Sequence, residues 1–409
     1  MRDGIVVVGG GHAGVQTVDA LRERGYSGPL TLVCGEARLP YNRPPVSKEL
    51  LDPATDPTPA PLRAASFYRD NGITVVPAAA LGIDRGTRTV HISGGMAARY
   101  DHLVLATGAR ARTLPLPGAA LPNVLTLRTA QDAHALRERL HAGTRVVVLG
   151  GGFIGLEVAS AARRVDAQVV LLERGPQLLG RAVSEPTAAR IAEHHRADGV
   201  RLGLGEQVCG FATDGSRVTA VRTGSGRLVS ADVVVVGIGA VAEDRLAHEA
   251  GLPVQQGILV DQWLATADPR ISAIGDCAVV REPLTGTTTR LESVQNASDQ
   301  ARYVAEQLTG GTSRPYRALP WFWSDQGALR FQMVQRIASY DRTVSSGQSV
   351  LRFEGGLLTG VESLNDPSTH QAARRLLQRA TPSLAELAAV DHDVRVLARQ
   401  AARARQVVA

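Results

Sequence analysis

A run of buried-strand character, Gly4 to Val8 (GIVVV), leads into a glycine cluster and then into apolar positions at helical spacing from Val15 to Arg24. A second apolar strand follows at Leu30 to Val33, and HLVLATG at 102–108 closes the block. Uninterrupted β-branched strands alternating with a helix are the pattern of a parallel sheet built from βαβ units. From about Leu114 to Gly239 the plan returns: RVVVLGGGFIG, a helix through Ala162, QVVLLE, and ADVVVVGIG. The chain therefore carries an internal duplication. After Gly239 no third copy begins; DPRISAIGDCA runs to a helix at about Asn296 to Leu308, which predicts a return into the first domain. From Leu319 the character changes. FWSDQGALRFQMV and SVLRFEGGLLTGVESL alternate apolar and polar positions, predicting a half-buried antiparallel sheet closed by helices near Gln371 to Arg379 and Leu384 to Arg405.

A chain of 409 residues with 44% apolar content has room for two or three domains with real cores. The longest uncharged apolar stretch, Val233 to Ala242, is far short of the roughly 20 residues that span a bilayer, so no membrane segment is expected. A strand at the very start leaves no space for a signal segment, and three widely spaced cysteines, Cys34, Cys209 and Cys277, suit reduced thiols in a cytoplasmic protein. The net charge is +6, and residues 371–409 hold seven arginines against three acids. Charge of this kind admits nucleic acid, a membrane surface or an acidic protein as partner. Lysine usage is unusual: Lys48 stands alone beside 44 arginines.

Gly9, Gly11 and Gly14 fit G-x-G-x-x-G directly after a strand and at the opening of a helix. In such a turn the first glycine permits the tight bend, the second lets backbone approach a pyrophosphate, and the third lets helix and strand pack closely. The diphosphate then meets N–H groups at the positive helix end. Glu36, at the end of the next strand and 27 residues after Gly9, is placed to take ribose hydroxyls. Gly150, Gly152 and Gly155 repeat the motif, with Glu173 23 residues after Gly150. One glycine-rich turn is weak evidence; two in this context, each with its acid, predict two bound dinucleotides. A carboxylate at position 173 would repel the 2′-phosphate of NADPH and accept from the hydroxyls of NADH, so NADH is the expected nicotinamide cofactor.

With these cradles in place, LPYNRPPVSK (Leu39 to Lys48), LATG (Leu105 to Gly108), GGGFIGLE (Gly150 to Glu157), AIGDCA (Ala273 to Ala278), RLESVQNA (Arg290 to Ala297) and PWFWSDQ (Pro320 to Gln326) give the chain a family likeness over nearly its whole length. It resembles the FAD-dependent ferredoxin reductases of oxygenase systems, of the putidaredoxin reductase type. The resemblance implies an α/β chain of two Rossmann-like dinucleotide-binding domains and a C-terminal α+β interface domain: a discontinuous FAD domain (1–113 and 240–318), an NAD domain (114–239) and the interface domain (319–409). It implies FAD contacts by Gly9, Gly11, His12, Ala13, Gly14, Glu36, Arg43, Lys48, Leu81, Ala106, Thr107, Gly108, Arg128, Gly275, Asp276, Val294 and Trp323. For the nicotinamide dinucleotide it implies Gly150, Gly152, Phe153, Ile154, Gly155, Glu157, Glu173, Arg181, Gly237 and Gly239.

By the same resemblance Lys48 lies beside the flavin and pairs with Glu157, and Trp323 stands near the ring, which makes these three the implied catalytic residues. Asp276 would accept from ribityl hydroxyls, and a helix opening at Val294 would favour negative charge on a reduced flavin. No two cysteines are spaced as a dithiol, so electrons are expected to leave singly, to an acidic iron-sulfur ferredoxin that supplies an oxygenase such as a haem-thiolate or Rieske enzyme. The basic balance suits such a partner. A rubredoxin reductase and an NADH oxidase are the near alternatives. An apoptosis-inducing-factor-like nucleic-acid-binding flavoprotein is the distant one, and no nucleic-acid motif is visible.

Overall fold

The four residues Ile5–Val8 are all buried and form the centre of a five-stranded parallel sheet. Its order is Ile271–Ala273, His102–Leu105, Ile5–Val8, Leu30–Val33, Ile73–Val76, so the chain winds to one side of the first strand and then to the other. In register, Val8 lies between Val33 and Leu105. Two helices, His12–Glu23 and Val294–Leu308, pack together on this sheet, and the core includes Val7, Leu32, Leu103, Ala301 and Val304. The second helix opens at Val294, where the Ser293 hydroxyl accepts from the Asn296 N–H at 3.0 Å. A three-stranded antiparallel sheet, Ala80–Asp84, Thr89–Ile92 and Met96–Arg99, is an excursion that the sequence reading did not separate from the main sheet.

The structure is a computed structural model describing residues 3–180, 182–281, 288–311, 314–317 and 319–406. It divides into two compact units, one of 1–43, 58–110 and 240–318, the other of 44–57, 111–239 and 319–409. The second unit contains a parallel sheet of the same plan: Arg201–Leu204, Gln168–Glu173, Arg145–Leu149, Val233–Val236 and Val124–Thr126, with Arg145–Leu149 central. Helix Phe153–Arg164 leaves the central strand, and a small antiparallel sheet (Val208–Thr213, Val218–Thr223, Leu228–Ser230) is inserted before the last strand. Arg137 ties in the segment 44–57 by donating to the carbonyls of Leu50, Pro53 and Thr55 at 3.4, 3.0 and 2.7 Å.

The antiparallel sheet expected after Leu319 is present, in the order Trp321–Gln326, Leu329–Gln335, Leu357–Leu364, Ser349–Glu354, Arg342–Ser346. Helix Pro367–Leu377 covers its core of Val334, Leu351, Phe353, Leu358 and Val361. That helix starts earlier than the apolar pattern suggested, because Asp366 caps it and proline sits at its first position. The long closing helix expected from Leu384 to Arg405 is instead two, Leu384–Ala388 and Val394–Gln406. Asp391 and His392 lie between them at φ of +52° and +59°, a left-handed conformation that no helix interior accommodates.

Candidate functional site

The two glycine turns share one geometry. Gly9 (φ +127°) and Gly150 (φ +104°) adopt backbone angles that side chains disfavour, and a Cβ on either would lie only 2.0 or 2.4 Å from a carbonyl oxygen, of Ala106 or Gly237. The third glycines are closed in by their own turns: a Cβ on Gly14 would meet the Gly9 carbonyl oxygen at 1.8 Å, and one on Gly155 the Gly150 oxygen at 2.1 Å. The middle glycines differ. A Cβ on Gly11 would meet only the Arg43 Nε, at 4.0 Å, and one on Gly152 only the Gly237 oxygen, at 3.9 Å. Protein packing therefore explains the first and third glycines but not the second. Open space over the second, at a helix start whose first-turn N–H groups lack intrahelical partners, is what a pyrophosphate needs. Both cradles fit a dinucleotide on this ground.

Around the first turn the same unit gathers most of the implied FAD residues. Glu36 ends the strand beside the turn, accepting from Arg43 Nη2 at 2.5 Å and from the Tyr41 hydroxyl at 2.8 Å, and Arg43 lies 5.1 Å from the centroid of the Tyr41 ring. His12 Nε2 is 3.0 Å from Asn42 Oδ1. Ala106 and Ala13 are buried against the turn; a Cβ on Gly275 would lie 3.2 Å from that of Ala13. Thr107 donates to the Glu243 carbonyl at 2.5 Å, and Gly108 has φ +75°. The Gly275 N–H donates to Gln300, and Asp276 follows in a short helical turn whose carbonyl Arg290 holds at 3.2 Å. Leu81 stands apart on the small antiparallel sheet, with half its surface exposed.

The implied residues of the second unit fall into two groups. Near the second turn, Glu173 is bound by backbone: one carboxylate oxygen accepts from the Gly151 N–H at 2.7 Å and the other from Gly175 at 2.6 Å. Gly237 packs on Gly155, and Gly239 has φ +103°. Phe153 opens the helix with its ring 4.4 Å from Phe322, while Ile154 is exposed. Arg128 donates its N–H to Asp132 at 2.9 Å in a separate turn, and Arg181 lies outside the described residues.

The second group centres on Glu157, one turn into the same helix and only 4% exposed. Its Oε2 accepts from Lys48 Nζ at 2.8 Å and from the Ser47 hydroxyl; its Oε1 accepts from the Ser324 hydroxyl at 2.6 Å. Lys48 also donates to the Pro44 carbonyl at 3.2 Å, and Arg164 holds the Lys48 carbonyl at 3.0 Å. The lone lysine is thus fixed in place, with 13% of its side chain exposed. Trp323 stacks on Trp321 at 5.7 Å between centroids, and Arg374 lies 3.9 Å over the Trp321 ring. Ser47, Ser324 and Gln326 escaped the sequence reading, although all three lie within the motifs LPYNRPPVSK and PWFWSDQ.

All three cysteines are free. Burial, aided by the charge of Glu36, pushes the Cys34 thiol up to about 12, and burial also raises Cys277. Among the described residues no cluster of His, Cys, Asp or Glu could hold a metal, and no helix is long and apolar enough to cross a membrane.

Comparison with known proteins gives two family matches, a pyridine nucleotide-disulphide oxidoreductase model over residues 3–301 and a reductase C-terminal model over 321–398. The chain is 44% identical over 400 residues to rhodocoxin reductase of Rhodococcus erythropolis, covering 96% of this chain and 93% of that protein. It is 38% identical over 392 residues to putidaredoxin reductase of Pseudomonas putida, covering 93% of each. Among solved structures, the ferredoxin reductase for the CYP199A2 system from Rhodopseudomonas palustris superposes with a TM-score of 0.93 at 40% identity, over 97% of this chain and all of that one.

Proposed function

We propose a function from one premise: this chain belongs to the pyridine nucleotide-disulphide oxidoreductase family. It is an FAD-dependent reductase that passes electrons from a nicotinamide dinucleotide to a small iron-sulfur protein, a ferredoxin serving an oxygenase. The first glycine turn takes FAD and the second takes NADH, and residues 319–409 form the C-terminal interface domain. The reaction is assigned to the cytoplasm.

The observation that carries this reading is the state of the thiols beside two cradles built for dinucleotides. A family member that ends its electron path on cysteine needs an accessible thiol with thiolate character beside the flavin. Here Cys34 and Cys277 are buried with raised thiol pKa values, Cys209 is exposed on the strand Val208–Thr213 of the small inserted sheet, and no disulfide joins any two of the three. Electrons therefore go to a separate acceptor.

Bound FAD supplies the ability to accept two electrons from a nicotinamide and release them one at a time. The protein's own residues bind and orient. The Gly9 and Gly150 turns hold the diphosphates, and Glu36 with Arg43 and Glu173 take the ribose ends. Glu173 selects NADH, since both its oxygens already lie in the turn and would face a 2′-phosphate with like charge. The helix opening at Val294 offers a positive end to negative charge on the flavin. Lys48, held by buried Glu157, serves the reduction step as a compact, oriented cation.

The test is NADH oxidation by the FAD-loaded protein against a panel of purified [2Fe-2S] ferredoxins and rubredoxin, with the flavin spectrum followed in the same cuvette. One or more ferredoxins should be reduced with kcat/KM at least about tenfold above the rate constant with oxygen alone. Turnover of rubredoxin but no ferredoxin, or of oxygen alone, overturns the assignment.

A further inference from the structure

The Glu157 carboxylate is the end of a chain of hydrogen bonds that begins three side chains away. Ser324 has one hydroxyl proton, and because it lies 2.6 Å from an acceptor-only carboxylate oxygen, that proton goes to Glu157. The serine oxygen is then free to accept, and Gln326 Nε2 donates to it at 3.2 Å. Gln326 Oε1 in turn lies 2.9 Å from His195 Nε2, so the imidazole carries its proton there. Among the described residues His195 Nδ1 has no partner, and the ring is wholly buried, which favours the neutral form. Every link points the same way, toward the carboxylate. Ser324 and Gln326 are completely buried and sit two residues apart on the strand Trp321–Gln326, the spacing that puts both on one face. His195 comes from the helix Glu185–Ala197, whose His194 also meets the Gln326 carbonyl at 3.1 Å.

A buried carboxylate with one oxygen engaged by Lys48 and Ser47 is free to turn unless its second oxygen is also fixed. Ser324 supplies that fixation, and Gln326 keeps the serine proton from turning elsewhere. We propose that Ser324 and Gln326, backed by His195, are positioning residues for the Lys48–Glu157 pair: they orient Glu157 so that Oε2 faces the ammonium, which makes the C-terminal sheet part of the lysine's machinery. The inference rests on the reading that this pair serves reduction of the flavin by NADH. A merely structural role for the chain would tie helix to strand but leave the amine's chemistry unchanged.

Because Lys48 is the only lysine, amine acylation reports on it alone apart from the N-terminus. The FAD-loaded protein is treated with limiting acetic anhydride across a range of pH, and acetylation of Lys48 is quantified by peptide mass spectrometry against the N-terminal amine. Ser324→Ala should raise the Lys48 rate near pH 8 by roughly 3- to 10-fold, because a carboxylate free to turn no longer holds the amine beside Ser47 and the Pro44 carbonyl. Ser324→Thr, which keeps the hydroxyl, should stay within about twofold of wild type, and Gln326→Leu should fall between the two. In a Glu157→Gln background, Ser324→Ala should add nothing, since its path to Lys48 is already cut. Flavin reduction by NADH in rapid mixing should slow severalfold in Ser324→Ala at saturating NADH, with NADH affinity little changed.

Equal Lys48 labelling in wild type and Ser324→Ala overturns the proposal, as does an effect that simply adds to that of Glu157→Gln. Should Ser324→Ala fail to fold, Gln326→Leu must still label Lys48 faster than wild type does, or the proposal falls. Normal flavin reduction in Lys48→Met with labelling shifted in Ser324→Ala leaves the positioning intact but removes the reading beneath it. Slowed reduction in Lys48→Met with labelling unmoved in Ser324→Ala does the reverse.

Discussion

Glu173 shows how far a single residue can be read from its place in a motif. Its position after the second strand marks it as the ribose acid, and the structure adds that both carboxylate oxygens accept backbone N–H groups, from Gly151 and Gly175. These bonds hold the carboxylate in place, and a fixed negative charge beside the ribose penalises a 2′-phosphate. Glu173→Ala should therefore reduce the ratio of kcat/KM for NADH over NADPH by about tenfold, roughly 1.4 kcal/mol of discrimination. Glu173→Gln, keeping one acceptor oxygen, should move it less. A ratio unmoved in both variants would show that selection lies elsewhere, with the adjacent Arg174 the first residue to examine. The glycines were legible for the same local reason: one tight turn fixes their mutual spacing, although Gly9 and Gly150 also pack on Ala106 and Gly237 far along the chain. The surroundings of Glu157 were not, because Ser47 and Ser324 reach it across 110 and 167 residues, and no spacing rule connects them.

Among the elements, strands of the two parallel sheets were plain because buried strands need continuous apolar runs. The two small antiparallel excursions were not separated, since short half-exposed strands such as Ala80–Asp84 and Val208–Thr213 carry mixed patterns. What the helix Glu185–Ala197 rests on was also invisible. Ser184, at its N-cap, gives its N–H to both oxygens of Glu362 at 2.9 and 3.1 Å and its hydroxyl to one of them at 2.5 Å. Glu362 also pairs with Arg352 at 3.3 Å, and both side chains are at most 2% exposed. Glu362→Ala would take the carboxylate from a buried guanidinium and leave the buried Ser184 N–H without its acceptor. Breaking one partner of a buried pair costs about 3–5 kcal/mol, so the urea midpoint should fall sharply. The double variant Glu362→Leu, Arg352→Met should lose much less than the sum of its single changes, because no charge is left unpaired. Additive losses would mean that the pair is not the unit that matters. The same helix carries His195 at its other end, so its placement bears on Glu157 as well.

For the whole molecule, the charge balance bears on how electrons leave. The proposed second substrate is a protein that must find the reductase by diffusion, and a net charge of +6 favours encounter with an acidic one. Complementary charge acts mainly on encounter, and salt weakens it as the screening length contracts, from roughly 20 Å near 20 mM to under 6 Å near 300 mM. Over that range kcat/KM for an acidic [2Fe-2S] ferredoxin should fall by about tenfold or more, while kcat changes little, since electron transfer within the docked complex is not a diffusive step. A neutral small acceptor such as a quinone, assayed with the same enzyme, controls for salt effects on NADH binding and should vary by less than about twofold. Arg302 and Arg330 are exposed candidates to bear this attraction; each faces an acid, Asp299 at 3.4 Å and Asp325 at 3.7 Å, in the kind of exposed pair that is weakly held and open to exchange for a partner's carboxylate. Replacing both by glutamine should flatten the salt dependence without touching the rate of flavin reduction by NADH. A steep salt effect that survives the double replacement would assign the attraction to other arginines, and a flat profile in the wild-type protein would remove charge from the account of how the partner is chosen.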